Sequence, residues 1–135
     1  MPKEDYLIKF LEKLGRVVAA MLGFREKGFP DDSLRVADEM YKELLHLDIH
    51  TLSSMPLEKY VKIVAEGNYS ASYLEGLAEL TYQTAKSFSD KSDTQAANSF
   101  YEKSLQTYYL LNEKDKTFSF ERERFISDLE KIIQK

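Results

Sequence analysis

Glu43-Leu44-Leu45-His46 sets a carboxylate and an imidazole one helical turn apart, the spacing at which helical bundles present ligands to a pair of metal ions. Such a centre takes a second pair of the same kind and two further carboxylates, and a chain with 2 His has no second pair to give. His46 and His50 stand four apart and would clamp one metal if a helix ran through Asp48, yet nothing nearby completes the site. The plainer reading puts both imidazoles at a helix end, against its negative pole. No metal site and no cofactor is expected.

Other chemistries fail on the same kind of count. Gly23 to Gly28 has the glycine spacing of a phosphate loop, but Phe29-Pro30 follows where a lysine and a hydroxyl residue would grip the terminal phosphate. There is no Gly-x-Ser-x-Gly elbow, and with 0 Cys the nucleophiles reduce to scattered Ser and Thr. Acid pairs such as Asp31-Asp32 and Asp38-Glu39 are most often solvated helix ends; carboxylate catalysis needs two in one cleft. No catalytic residue is assigned.

The elements that carry these residues are helices. At 135 residues the chain fits a single domain, residues 1–135, with enough length for a core. Hydrophobic residues at 43% and charged residues at 31% suit a globular protein, and only 5 Gly and 3 Pro leave too few turns for an all-β chain. The expected class is all-α. The net charge of −4 is spread evenly over both halves, so no basic patch invites nucleic acid. The chain opens Met-Pro-Lys-Glu-Asp without a charged-then-apolar leader, and its longest strongly apolar run, Val17 to Phe24, is too short for a bilayer. No membrane partner and a cytoplasmic location are expected.

Apolar periodicity predicts about six antiparallel helices. The first runs from about Glu4 to Phe24, with Glu4 and Asp5 near its positive end and Leu7, Leu11, Leu14, Val18, Met21 and Leu22 on one face. Phe10, Val17 and Phe24 make a second apolar row, and Gly15, Ala19 and Gly23 a small-residue ladder open to close packing or self-association. Pro30 starts a second helix to about Leu47; Ser53 or Ser54 with Pro56 and Glu58 reads as the cap of a third that ends at Gly67-Asn68. A fourth begins near Ser70, the polar run Ser89 to Thr94 turns the chain, a fifth carries Ala97 to Leu111, and a sixth spans Phe118 to Ile133. Most of the 9 Tyr should be core, with rings packed and hydroxyls reaching the surface; any remainder would line a groove.

From Thr81 to Leu105 small and bulky residues alternate across two helices: Ala85, Phe88, Ala97, Tyr101, Ser104 and Leu105. On Ala78 to Leu111 this resembles a tetratricopeptide-type repeat of about 34 residues, in which bulky residues of one helix fill small-residue gaps of its partner. Thr81 and Thr84 depart from the pattern's large residues, and Ser92 stands where it has a turn glycine. Leu14 to Leu47 is a weaker copy, with Val17, Met21, Phe24, Gly28, Ser33, Ala37 and Met40 at matching places. With the opening Asp5-Tyr6-Leu7 and the Leu14-Gly15-Arg16…Gly23 run, the whole chain resembles a family of small uncharacterised bacterial proteins with such a fold.

The resemblance implies a TPR-like array of helical hairpins acting as a non-enzymatic interaction module for a protein partner. Its binding groove would fall on Val18, Leu22 and Arg25 of the weaker copy and on Glu79, Tyr82 and Lys86 of the stronger. The alternative is a small-ligand- or metal-binding bundle using Glu43 and His46. The two apolar rows of the first helix also suggest a homodimer, unless the C-terminal helix, with Phe125, Ile126, Leu129, Ile132 and Ile133, covers one of them. If Ala85 and Ala97 face each other across a hairpin, replacing either with Leu costs about 1 to 3 kcal/mol by overpacking. Thermal melting checks this; a variant with the wild-type midpoint would take those positions off the crossing.

Overall fold

The structure, a computed structural model, describes residues 3–134, with side chains from Leu7 onward. The expected roles of Glu4 and Asp5 at the first helix end, and the Asp5-Tyr6 of the opening motif, lie outside the described side chains. Among the described residues the fold is all-helical: α1 (Lys3–Glu26), α2 (Pro30–Leu45), α3 (Ile49–Ser54), α4 (Leu57–Glu66), α5 (Ala71–Asp90), α6 (Thr94–Lys114) and α7 (Phe120–Ile133).

Seven helices stand where six were expected, and the extra one has a local cause. The chain leaves α2 through His46 in the left-handed region, φ 59°, and Asp48 then accepts from the Thr51 N–H at 2.8 Å to cap a new helix. Ser53 and Ser54, expected as a cap, lie inside that helix, and Pro56 opens α4 instead. Ser70, Asp93 and Ser119 cap α5, α6 and α7, each accepting from the N–H three residues on. Phe118 therefore falls outside the last helix. Ser92 takes φ 63°, the left-handed conformation that a glycine would adopt without cost.

The hairpin of α5 and α6 is central. α1 and α2 pack on α5, α3 and α4 on α6, and α7 on α6. Antiparallel pairing holds within the hairpins, where Lys13 meets Glu43 across α1 and α2. It does not hold between them. A Cβ on Gly76 would run into Leu14, while Arg25 reaches Gln83 and Asp90, so α1 and α5 run in the same direction. Tyr82 meets Phe125 and Lys86 meets Asp128, which sets α7 parallel to α5 as well.

These contacts bear on three expectations for α1. α2 and α5 cover much of both apolar rows, with Leu14 and Met21 buried and Phe10, Leu11, Val17 and Val18 packed against the core. Among its described large apolar side chains Leu7, Ile8 and Leu22 stay exposed, the first and last of them in the row that suggested a dimer. The C-terminal helix is not what covers it, since α7 lies on α6. The Gly15 and Gly23 positions of the small-residue ladder meet nothing within 4 Å, and the close approach of α1 is made at Gly76 of α5 instead.

The core is tied by hydroxyl groups, contrary to the expectation that tyrosine hydroxyls reach the surface. Tyr41 of α2 pairs with Thr84 of α5 at 2.8 Å, and Tyr60 of α4 with Thr107 of α6 at 2.7 Å. Each threonine also donates to the carbonyl four residues back, Leu80 or Lys103, at 2.7 Å. Ser33 and Ser87 form a third buried pair at 2.7 Å, Tyr73 donates to the Leu44 carbonyl at 3.0 Å, and Ser104 to the Ala78 carbonyl at 3.0 Å. Lys103, only 2% exposed, donates to the Met55 carbonyl at the end of α3 (2.9 Å) and to Ser99 (2.7 Å). Desolvation lowers its pKa against the opposing pull of Glu102.

Thr84→Val strands the buried Tyr41 hydroxyl and is expected to cost about 1 to 3 kcal/mol, whereas Tyr41→Phe leaves Thr84 bonded to its own helix and costs about 0.5 to 1.5 kcal/mol. The double variant should cost less than the sum. Urea midpoints at constant m value measure all three; strict additivity would mean the pair is not linked.

Candidate functional site

α7 is positioned by a buried arginine. Arg122, 6% exposed, reaches back to Asp115 at 3.0 Å and Asn112 at 3.3 Å, pinning the turn from α6. The Thr117 N–H first, and then Arg122, hold the Asp115 carboxyl below the usual carboxylate range. With its first turn fixed, α7 leaves an open cleft of about 920 Å³ between itself and α5.

Aromatic rings form its floor. Phe125 of α7 meets Tyr82 of α5 edge-on at 5.0 Å and stacks on Tyr108 of α6 at 5.8 Å. The Tyr82 hydroxyl donates to Asp128 at 2.6 Å across the cleft, and burial, then Asp128, raises its pKa. Lys86 stands 3.8 Å from the same carboxylate and 5.2 and 5.6 Å from the ring centroids of Tyr82 and Tyr101, so cation–π attraction holds it in place. Phe120, 79% exposed, sits on the rim with Glu121, Arg124 and Lys131, and its ring packs edge-on against Phe118 at 4.8 Å.

The six residues expected to line a groove are brought to one side of the molecule but into three adjoining clefts. Tyr82 and Lys86 share the large one. Val18 and Glu79 share a smaller cleft of about 250 Å³ between α1 and α5, with Glu75, Gly15 and Gly76. Leu22 and Arg25 line a third, where Arg25 donates to Asp90 at 2.9 Å and Gln83 at 2.7 Å. Arg25 is thus braced against α5. The α7 wall, Glu121, Arg124, Phe125 and Asp128, went unread as a site. Its signal was the alternation of helices: α7 follows α6 as a further parallel companion of α5, and Glu121, Phe125 and Asp128 share its inward face.

The metal-binding alternative is not assembled. Glu43 is engaged by Lys13 on the surface, His46 lies past the end of α2, and His50 sits in the first turn of α3, so no continuous helix joins the two imidazoles. Of the two, only His46 is at a helix C-terminus. Among the described residues no three His, Asp or Glu side chains are grouped to hold a metal ion. Gly23 lies within α1, so no phosphate loop forms around it.

No protein-family model, curated protein or solved structure matches the chain. What it does has to be read from the clefts themselves.

Glu79 is half-buried and its carboxyl is pushed up by desolvation, then by Glu75 and Glu121. A carboxyl raised in the folded state weakens folding once pH exceeds its unfolded value, and the penalty disappears on acidification below that value. Glu79→Gln should therefore melt higher than the wild type at pH 7 and lose that advantage by about pH 3, below the unfolded glutamate pKa of about 4.3. Melting curves at the two pH values check this; an equal offset at both would mean the carboxylate is not strained.

Proposed function

We propose that this chain is a non-enzymatic interaction module, a TPR-like array of helical hairpins whose cleft between α5 and α7 docks a peptide segment of a protein partner. The order of packing supports the array: α1 with α2, α5 with α6, α2 against α5, and α1 beside α5. Successive hairpins in the tetratricopeptide pattern stack this way, with α7 as a closing helix and α3 and α4 as an insertion between hairpins. Small residues buried on both helices of the central hairpin, Ala78, Ala85 and Ala97, fit the same pattern.

The observation that carries the reading is the aromatic floor. Tyr82 and Phe125 lie at the base of a cleft with charged walls and an exposed phenylalanine on its rim, the mixture of rigid apolar contact and polar surround typical of protein interfaces. Tyr82 and Lys86 are the groove residues retained; Val18 and Glu79 line a second cleft, and Leu22 and Arg25 a third. No corresponding observation favours a small-ligand or metal-binding bundle.

Selection of random twelve-residue peptides against the immobilised full chain tests this. A recurrent motif is expected, with binding lost in Tyr82→Ala and weakened in Lys86→Glu while both variants keep a helical far-UV spectrum. Recovery of no motif, or of one indifferent to both substitutions, would remove the cleft from the function.

A further inference from the structure

We propose that the cleft between α5 and α7 selects an acidic side chain, aspartate or glutamate, on the docked peptide segment, and that Lys86 is its partner. This rests on the docking reading and adds the chemistry of one contact.

Lys86 is a cation held in place without being satisfied. Its ammonium stands over the rings of Tyr82 and Tyr101, 5.2 and 5.6 Å from their centroids, and 27% of its side chain is exposed. An aromatic face attracts the charge but gives the three N–H groups no oxygen lone pair to bond. Oδ2 of Asp128 is 3.8 Å away, beyond hydrogen-bond range, and already takes the Tyr82 hydroxyl at 2.6 Å. Among the described residues the donors of Lys86 are thus left for water or a ligand.

The surroundings add charge of the same sign. On α7, Arg124 lies one turn before Asp128 and Lys131 one turn after it, and all three line the cleft together with Lys86. Neither Arg124 nor Lys131 makes an ion pair among the described residues. Three cations therefore surround one carboxylate, in a chain whose net charge is −4. Glu121, the other acid lining the cleft, stands two turns back along α7 from Asp128.

This local excess opposes a basic segment and favours an acid. A carboxylate laid beside the Tyr82 and Phe125 floor gives Lys86 the oxygen acceptors it lacks, in a half-dry setting where a charged hydrogen bond is stronger than in water. A run of phosphates does not suit the cleft, because Glu121 and Asp128 stand in its path. A single carboxylate does.

Isotope-labelled full chain titrated by NMR with three dipeptides, phenylalanyl-glutamate, phenylalanyl-glutamine and phenylalanyl-lysine, each acetylated and amidated at its ends, tests the proposal. The glutamate dipeptide should shift the Lys86 side-chain and Tyr82 ring signals saturably and bind about tenfold more tightly than the glutamine one. The lysine dipeptide should bind most weakly, and added salt should narrow the differences. Lys86→Gln is expected to abolish the preference for glutamate and Arg124→Gln, at an exposed position, to reduce it, while Lys62→Gln, an exposed cation on α4, leaves it unchanged. Equal affinity for the glutamate and glutamine dipeptides, no response to the glutamate one, or a preference that survives both cleft substitutions overturns the acid site. If selected peptides depend on Tyr82 but carry no recurrent acid, the acid site fails and the docking cleft stands. If the glutamate dipeptide is preferred through Lys86 while no peptide motif is recovered, the acid site stands and the docking reading fails.

Discussion

A tyrosine in a dry core brings bulk and a hydroxyl that must be bonded, and the central hairpin is arranged around that requirement. Tyr41 and Tyr60 enter from opposite flanks, one from α2 and one from α4, and each finds a threonine already bonded to its own helix. The threonine hydroxyl gives its proton to a backbone carbonyl and keeps lone pairs for the tyrosine. A large apolar residue at 84 would fill the space and leave the phenol stranded. Thr84 thus fixes how α2 sits on α5, and through α5 where Glu79, Tyr82 and Lys86 point.

Helix class and most boundaries were legible because apolar spacing and caps are local signals. Pro30, Ser70 and the turn before Thr94 delimit helices where expected. The missed break at Asp48 shows the limit of such signals: the cap was read at Ser53 or Ser54, whereas the left-handed turn at His46 lets Asp48 cap a helix that contains both serines. Direction was harder to read. Counting apolar rows on α1 cannot say that α2 and α5 cover much of both, because the cover comes from residues far along the chain. The buried hydroxyl pairs were likewise invisible, each joining residues more than forty apart.

The candidate site divides in the same way. The α5 residues were named because the resemblance to the tetratricopeptide repeat maps its groove onto them, whereas the α7 wall depends on the Arg122 anchor and on how the α6–α7 turn swings the helix back. Tyr108 is legible in sequence only as one of the core tyrosines, and its unbonded hydroxyl shows only in the folded chain.

That α1, α5 and α7 run parallel gives their shared side a backbone polarity. Peptide dipoles aligned along three helices place partial positive charge at one end of the surface and partial negative charge at the other. On α7 Glu121 lies at the starting end and Lys131 at the finishing end, so these side chains oppose the backbone field at both ends. A chain laid along α7 would meet acid first and base last. Forward and reversed binding are then inequivalent before any side chain fits a pocket, and the fold itself carries a sense of direction.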